Sequence, residues 1–239
     1  MQAGGELAMA PNGFPPTLSI ASVTEVVYDH LRGRILRGLA PGQPLRLNIL
    51  AAELGVSTTP VRMALERLAS DGLVIQAGRR GATVAPLSVA DFQDIYAVRR
   101  CLEGAAARLG AALMTNAERE EMRQLSRRLQ EIVQSTPPDL DQYLESEWQL
   151  HEVCYAACHY GRMLAEIRSF RRQAERYFRL ALAEGMNVLE DMDQQRDFCT
   201  ACVSGDGGAA ERVAIALLNW TVERVAPILA NSRAMAPVR

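Results

Sequence analysis

Arginine is the residue type of this sequence that is best suited to bind an anionic partner. All 26 basic residues are arginines, and lysine does not occur. A guanidinium donates paired hydrogen bonds to phosphates, to carboxylates and to the edges of nucleic-acid bases. A compositional bias of the genome is the simpler explanation for the missing lysine, so the positions of the arginines matter more than their number. One group of candidate contact residues lies in the first third of the chain: Ser57, Thr58, Thr59, Arg62, Arg67, Arg79, Arg80 and Gly81.

The spacing of apolar residues over positions 57–70 predicts a helix that presents several of these residues on one face. Ser57 can cap its start because a serine hydroxyl accepts a hydrogen bond from an early backbone N–H, and Pro60 is tolerated in a first turn. The apolar stripe consists of Val61, Ala64, Leu65 and Leu68, and the residues off it include Thr58, Thr59, Arg62 and Arg67. One face is therefore expected to pack, and the other is free to contact a partner.

The segments around this helix predict a winged helix-turn-helix. Residues 49–54 form a short predicted helix that Gly55 ends, which gives the order helix, tight turn, helix. Residues 73–75 and 82–86 are two predicted strands, and the loop between them carries two adjacent arginines. An earlier helix over about 22–38 completes the three helices. The helix pair alone is equally compatible with a structural helical hairpin, and the basic hairpin after it favours a winged helix.

A long series of residues in this region matches a known pattern in order: 28–38, 40–42, 50–51, 55–57, 59–62, 64–65, 68, 72–74 and 80–84. Residues 23–87 thereby resemble the DNA-binding domain of the GntR (gluconate-operon repressor) superfamily of bacterial transcription regulators. The resemblance implies that the predicted helix enters the major groove, where Thr58, Thr59 and Arg62 address bases or flanking phosphates. It also implies that the two arginines of the wing reach the adjacent backbone or minor groove. The family usually has arginine where this chain has Thr58, so no operator preference is carried over at that position.

The length and composition predict three parts: a flexible tail over residues 1–20, a winged helix-turn-helix over 21–87 and a helical domain over 88–232. A chain of 239 residues suits two domains that each bury a core. The tail is rich in glycine, alanine and proline. No uninterrupted apolar run is long enough to cross a bilayer, and the first twenty residues lack the basic start and apolar core of a signal peptide, so we expect a cytoplasmic protein.

Charge is divided unevenly between the two predicted domains. Residues 20–87 carry 8 arginines against 5 acidic residues, whereas residues 88–239 carry 18 arginines against 22 acidic residues. The basic part is therefore the part whose pattern suggests DNA binding.

Downstream of Ser88 the sequence predicts only helices. The predicted spans are about 88–113, 115–136, 139–158, 162–183, 187–203 and 208–230. Thr115 and Glu118 form a capping box, and a pair of prolines ends the second span. No alternating strand pattern follows Val84. The predicted fold class is therefore mainly α, a winged helix-turn-helix followed by an all-helical bundle whose interior is a natural place for a small ligand.

This second half carries a sparser set of matches: Arg99 with residues 102–103, residues 147–151, Ala201 with residues 205–206, and Ala210. It resembles the all-helical FCD-type effector-binding domain of the FadR-type branch of the same superfamily. In many members an acid and a histidine one helical turn apart, with two later histidines, hold a divalent metal that helps to bind a carboxylate effector. By position, Glu147 and His151 correspond to the acid and the first histidine. Gln195 and Leu217 occupy the places of the later two.

The two replaced histidines predict that this chain binds no metal and no other cofactor. One imidazole, one carboxylate and one amide form a poor cage for a transition metal, and the chain has only three histidines. We expect instead that Arg99 and His151 pair with an effector carboxylate. Glu147 is expected to orient His151, and Gln195 to hydrogen-bond the ligand. Two simpler interpretations stay open: Arg99 and Glu103 form an ion pair within one helix, and His151 is a satisfied core histidine.

The five cysteines are odd in number and lie in apolar helical stretches, which favours reduced thiols packed in a core. Cys199 and Cys202 have CxxC spacing, and Cys154, Cys158 and His159 could join them in a metal or redox site. The spacing is weak without a second CxxC, so a functional role for these thiols is the less favoured interpretation.

These patterns predict a homodimeric transcription regulator, either repressor or activator, that reads palindromic operator DNA and senses a small organic acid. The first alternative is an effector-independent DNA-binding protein whose bundle serves only for dimerisation. A remote alternative is an enzyme that uses Glu147 and His151 as an acid/base pair on a small carboxylate. Against it, the sequence shows no nucleophile with an adjacent base and no complete metal set. No membrane partner is expected.

Overall fold

The computed structural model describes residues 20–78, 81–135, 139–187 and 192–232. Contacts between residues divide this part of the chain into a first unit that ends at Leu87 and a second that begins at Ser88. Apart from Ile20, the tail expected over residues 1–20 lies outside the described residues. Helices and one small antiparallel sheet make up the regular structure of the described part, and the predicted mainly-α class is confirmed.

The first unit has the order of elements expected of a winged helix. They are α1 (Ile20–Leu36), β1 (Pro44–Arg46), α2 (Leu47–Leu54), α3 (Thr58–Ser70), β2 (Val74–Gln76) and β3 (Gly81–Val84). The apolar stripe predicted for α3 is buried at all four of its positions. It packs on α1, whose Val27, Leu31 and Ile35 are buried in the same core. The opposite face of α3 stays exposed.

A glycine turn separates α2 from α3. Gly55 adopts the left-handed backbone conformation with a φ of 65°, which residues with a side chain rarely adopt. The N–H of Val56 donates to the carbonyl oxygen of Ala51 at 3.1 Å and satisfies an acceptor at the end of α2. The tight turn fixes the direction in which α3 leaves α2.

The sheet contains one strand that the sequence did not predict. β3 lies in the middle and pairs antiparallel with β1 and with β2, so that Ala82 faces Leu45 and Thr83 faces Ile75. The extra strand, β1, is three residues long, too short to show the alternation that identifies a strand. Gly81 is required where β3 begins, because a Cβ at this position would lie 2.0 Å from the carbonyl oxygen of Leu45.

The second unit is helical throughout its described residues. Its helices are α4 (Val89–Leu113), α5 (Asn116–Gln134), α6 (Leu140–Ala156), α7 (Gly161–Ala183), α8 (Met192–Ser204) and α9 (Gly207–Asn231). Five of them begin within one residue of their predicted starts, and the segment before α8, residues 188–191, lies outside the described residues. The capping box of Thr115 and Glu118 is formed. α4 packs against α6, α7, α8 and α9 and is the central helix.

α4 and α6 approach each other closely at Gly110. A Cβ at this position would lie 1.8 Å from the carbonyl oxygen of Cys154. Only glycine therefore allows the two helices to keep this distance. The contact holds α4 against the part of α6 that carries His151 and Tyr155.

α9 is long and apolar enough to span a membrane by length and composition alone, with a mean hydropathy of 1.4 over its most apolar window. It packs along α4 and buries Ala214, Leu217, Leu218 and Val225. A core helix of a helical bundle has the same composition, so we assign α9 to the bundle.

Candidate functional site

The start of α3 presents hydroxyl groups that the helix itself does not use. Ser57 occupies the N-cap position with an extended backbone, but its side chain makes no capping hydrogen bond, so the predicted cap is wrong in this respect. The reason is Pro60, the third residue of the helix, because a serine cap usually accepts from that residue's N–H and proline has none. Ser57 and Thr59 are exposed, and Thr58 is half-buried. These hydroxyls are available to a partner outside the protein.

Arg62 lies on the same exposed face of α3. It makes no hydrogen bond and no ion pair with any residue that the structure describes, so its guanidinium is free to bind a phosphate or a guanine edge. A cleft of about 250 Å³ separates this face from the sheet, and its lining residues are Leu47, Arg62, Leu65, Glu66, Gln76, Gly78 and Gly81. The predicted contact residues Arg79 and Arg80 lie outside the described residues.

Arg67, another predicted contact residue, is engaged within the first unit. Its Nη1 pairs with Glu25 of α1 at 2.5 Å, and its guanidinium lies 3.9 Å from the centre of the Tyr28 ring. The Tyr28 hydroxyl in turn donates to Asp71 at 2.6 Å. These contacts tie α3 to α1, so among the described residues Arg67 has structural partners and Arg62 has none.

A second group of predicted residues meets around His151 of α6. Its Nε2 lies 2.8 Å from Oε1 of Gln195 on α8, and its Nδ1 lies 3.0 Å from the Tyr155 hydroxyl. The imidazole stacks on Phe198 at 4.3 Å between ring centres. Burial lowers the pKa of His151 against the opposing effect of Glu147, so the ring is neutral at pH 7. The structure thus brings two predicted residues, His151 and Gln195, into contact.

Arg99 of α4 is held by Glu103, one turn further along the same helix. Its Nε and Nη2 lie 2.6 Å and 3.3 Å from the two carboxylate oxygens, and its guanidinium lies 4.6 Å from the centre of the Tyr96 ring. The Tyr155 hydroxyl donates to Glu103 at 3.1 Å and joins this pair to His151. Burial acts to lower the pKa of Arg99, but Glu103 outweighs it and the pKa is raised. The ion pair within one helix is formed, and it belongs to a larger buried network.

Glu147 lies between His151 and Arg171 of α7. One of its oxygens is 3.7 Å from Nε2 of His151, and the other accepts a hydrogen bond from Nη2 of Arg171. The same Nη2 donates to the carbonyl oxygen of Leu144 at 3.1 Å, and the guanidinium lies 4.9 Å from the centre of the Trp148 indole. Burial acts to raise the pKa of Glu147, but the charge of Arg171 outweighs it and the pKa is lowered. The carboxylate is therefore ionised.

The sequence interpretation missed Tyr155 and Arg171. Tyr155 follows His151 by four residues, a spacing that places both on one helix face, so it could have been found. No spacing identifies Arg171, because α7 carries six arginines and only the packing of the helices selects the one that meets Glu147.

The donor groups of this network do not fit the metal that the family resemblance implies. Among the residues with described positions, no group of three or more His, Cys, Asp and Glu side chains is placed to hold a metal ion. His151 is hydrogen-bonded to Gln195, and Leu217, at the last of the family's histidine positions, is a buried apolar residue. Glu147 is already neutralised by Arg171, whose positive charge opposes the approach of a divalent cation.

The cysteines divide between core and surface. Cys154, Cys158, Cys199 and Cys202 are buried, whereas Cys101 is exposed on α4, contrary to the expected core packing. A hydrogen bond with Cys154 and burial both raise the pKa of Cys202, which keeps the thiol protonated and unreactive.

Comparison with known proteins matches both units. The model for bacterial regulatory proteins of the gntR family matches residues 23–84, and that of the FCD domain matches residues 94–219. The uncharacterised HTH-type transcriptional regulator BphR of Paraburkholderia xenovorans is 31% identical over 209 residues, 83% of this chain and 84% of its own length. The HTH-type transcriptional repressor RspR of Escherichia coli is 28% identical over 193 residues, 80% of this chain and 83% of its own. The structure of E. coli McbR/YncC shares the fold, with a TM-score of 0.73 at 22% identity over 87% of this chain and 97% of its own.

The two groups of site residues fall within the two matched regions. The exposed face of α3 lies in the gntR match, and the network from Arg99 to Gln195 lies in the FCD match. The relatives are transcription regulators, and the interpretation of the chain as a carboxylate enzyme is set aside. The chain belongs to the GntR family of bacterial transcription regulators, in the FadR-type branch with a C-terminal FCD domain, and it is a DNA-binding regulator and not an enzyme.

Proposed function

We propose that a small carboxylate bound by the network of the second unit controls the affinity of this regulator for operator DNA. The observation that carries the proposal is that one buried network holds two guanidiniums. Arg99 binds Glu103, and the Tyr155 hydroxyl joins this pair to His151, whose neighbour Glu147 binds Arg171. Two guanidiniums at one place in a helical bundle suit an anionic ligand.

A bundle that only dimerises has little use for such a network. Buried ion pairs lose about as much hydration as they gain in attraction, and apolar replacements of the same size are often as stable. Here the buried charges and their partners come from α4, α6, α7 and α8. A polar network of this extent favours a binding site over a purely structural core.

Arg99 keeps one nitrogen that no described protein group uses. Its Nε and Nη2 bind Glu103, whereas Nη1 donates to no residue of the described part. Within that part no buried side-chain nitrogen or oxygen lacks a partner. This nitrogen must therefore reach a water-accessible space, although Arg99 is only 6% exposed. We propose that the effector binds in this network, with Arg99, Arg171, His151 and Gln195 as its candidate partners.

The DNA-reading surface in this proposal is the exposed face of α3. Ser57, Thr58, Thr59 and Arg62 would address bases and phosphates in the major groove, because the helix uses neither the Ser57 hydroxyl nor the Arg62 guanidinium. Two copies of the chain on a twofold axis would read a palindromic operator. The protein would act in the cytoplasm and would bind its effector without a metal ion.

The wing supplies the remaining contacts in this proposal. Arg79 and Arg80, with the backbone at Gly81, would reach the adjacent phosphates or the minor groove. Arg67 would contribute chiefly by holding α3 on α1, since its guanidinium already binds Glu25.

The test is a thermal-shift screen of the full-length protein against acetate, pyruvate, benzoate and succinate, with and without EDTA. A ligand that binds the folded state raises the melting temperature according to its concentration relative to Kd. We expect a dose-dependent rise with at least one acid that EDTA does not remove. The same acid should change the affinity for operator DNA selected from random sequence.

No rise with any of these acids would reject the sensor and favour the effector-independent dimer. A rise that EDTA abolishes would instead reject the metal-free site.

A further inference from the structure

We propose that Glu147 occupies Arg171 in the free protein in place of the effector, and that binding exchanges one carboxylate for the other. The inference rests on the proposed function, because it states how the same site admits an acid without a metal ion. It makes Arg171 the anchor of the effector and Glu147 its built-in competitor.

Arg171 is the more accessible of the two arginines in the network. Arg99 binds Glu103 through two nitrogens, and its side chain is 7% exposed. The side chain of Arg171 is 20% exposed and meets Glu147 through Nη2 alone. The other two nitrogens of Arg171, Nε and Nη1, donate to no residue in the described ranges. Arg171 therefore has donors left for a ligand that arrives from solvent.

The shape of a guanidinium makes the exchange necessary. The planar group offers two edges to a bidentate carboxylate, Nε with Nη2 and Nη1 with Nη2, and both edges include Nη2. In Arg171 this nitrogen already donates to Glu147 and, at 3.1 Å, to the carbonyl oxygen of Leu144. Each N–H of Nη2 serves one edge, so the departure of Glu147 opens the edge that it occupies to both oxygens of a second carboxylate, while the other edge keeps the carbonyl oxygen of Leu144.

The surroundings of Glu147 allow it to leave. Its side chain is 16% exposed, so the displaced carboxylate can regain water. Its second oxygen lies 3.7 Å from Nε2 of His151, beyond hydrogen-bond distance, so the bond from Arg171 is the hydrogen bond that the described structure shows for this carboxylate. The guanidinium of Arg171 pairs with one carboxylate in each state, so a single carboxylate group of the effector takes the place of Glu147, whose own carboxylate returns to water.

The exchange and a metal site predict opposite effects on effector binding when Glu147 is replaced. If Glu147 were a metal ligand, as the family resemblance implies for this position, its removal would weaken effector binding. If Glu147 competes with the effector, its removal frees Arg171 and strengthens binding. The two members of one ion pair, Glu147 and Arg171, should therefore change the affinity in opposite directions.

The experiment is isothermal titration calorimetry of the full-length protein with acetate, pyruvate, benzoate and succinate at constant ionic strength. We expect Glu147→Gln to bind the preferred acid at least about tenfold more tightly, and Arg171→Gln to bind it at least about tenfold more weakly. Arg168→Gln is the matched control, because Arg168 lies one turn away on α7 in an exposed pair with Glu152 at 2.5 Å. It should leave the affinity unchanged.

Arg171→Gln leaves the Glu147 carboxylate without its ion-pair partner. This variant is therefore compared with Glu147→Gln/Arg171→Gln, which removes both charges and leaves the net charge of the site unchanged. The double variant should fold, as measured by circular dichroism, and should bind no better than Arg171→Gln. Weaker binding by Glu147→Gln, or full binding by the double variant, would overturn the exchange while leaving the carboxylate sensor in place. If neither the wild type nor Glu147→Gln binds any of the four acids, the proposed function fails and the exchange with it.

Discussion

Removal of Arg99 should destabilise the second unit because Glu103 depends on it. Glu103 is 2% exposed and accepts two hydrogen bonds from Arg99 and one from Tyr155. In Arg99→Met the two bonds from Arg99 are lost, and the buried carboxylate of Glu103 loses its ion-pair partner. Charge-assisted hydrogen bonds contribute about 1.5–3 kcal/mol each, and breaking a buried ion pair costs about 3–5 kcal/mol. We therefore expect the free energy of unfolding to fall by about 4 kcal/mol.

The chain offers a selective probe for this measurement. Both tryptophans, Trp148 and Trp220, lie in the second unit. Unfolding by guanidinium chloride, followed by tryptophan fluorescence, therefore reports on the unit that contains the substitution. The comparison of midpoints and slopes gives the change in the free energy of unfolding.

Two control variants separate the loss of a buried pair from the loss of any arginine. Arg99→Met/Glu103→Leu removes both charges and should recover most of the lost stability, because apolar side chains of similar size replace the pair. Arg123→Met breaks an exposed pair with Glu120 at 3.2 Å and should leave the free energy of unfolding nearly unchanged, because solvent screens such a pair. A loss below about 1 kcal/mol in Arg99→Met, or a double variant as unstable as the single one, would refute the reasoning.

Arg62→Ala should weaken operator binding by roughly ten- to hundredfold in a mobility-shift assay without lowering Tm, because Arg62 is exposed and free of partners within the described chain. An unchanged affinity would show that this face of α3 does not meet DNA. Gln195→His combined with Leu217→His should create Zn²⁺ binding in calorimetry, since Gln195 already contacts the histidine of the network. Absence of Zn²⁺ binding would contradict the positional match to the family. Gly110→Ala should lower the free energy of unfolding by at least about 1 kcal/mol, because its Cβ would lie 1.8 Å from the carbonyl oxygen of Cys154. An unaltered melting curve would show that α4 and α6 separate freely.

The first unit could be predicted where a local rule decides the structure alone. Gly55 ends a helix and the stripe from Val61 to Leu68 buries one face, and both predictions need only neighbouring residues. The predicted capping hydrogen bond of Ser57 is not formed, because two local rules conflict at this helix start. Serine favours an N-cap and Pro60 favours a first turn, but the proline removes the N–H that the serine needs.

The network could be predicted only in part, because the packing of helices decides it. The spacing of Arg99 and Glu103 indicates an ion pair, but nothing in the spacing shows that the pair is buried. Gln195 was identified through the family resemblance, since its contact with His151 joins residues far apart in the chain. Arg171 could not be identified, because its role depends on the side of α7 that meets α6.

α7 connects the network to the point where the chain leaves the first unit. Arg171 and Tyr177 lie six residues apart on this helix, about 9 Å along its axis. The Tyr177 hydroxyl accepts a hydrogen bond from the N–H of Ser88 at 3.3 Å and donates to Asp91 at 2.5 Å, so it holds the start of α4 directly after Leu87. If the proposed exchange at Arg171 moves α7, the movement reaches Ser88, the first residue of the second unit, through one of these hydrogen bonds and Asp91 through the other. A ligand could shift α7 between two positions only by the difference in its affinity for them, since a ligand that binds both equally shifts neither.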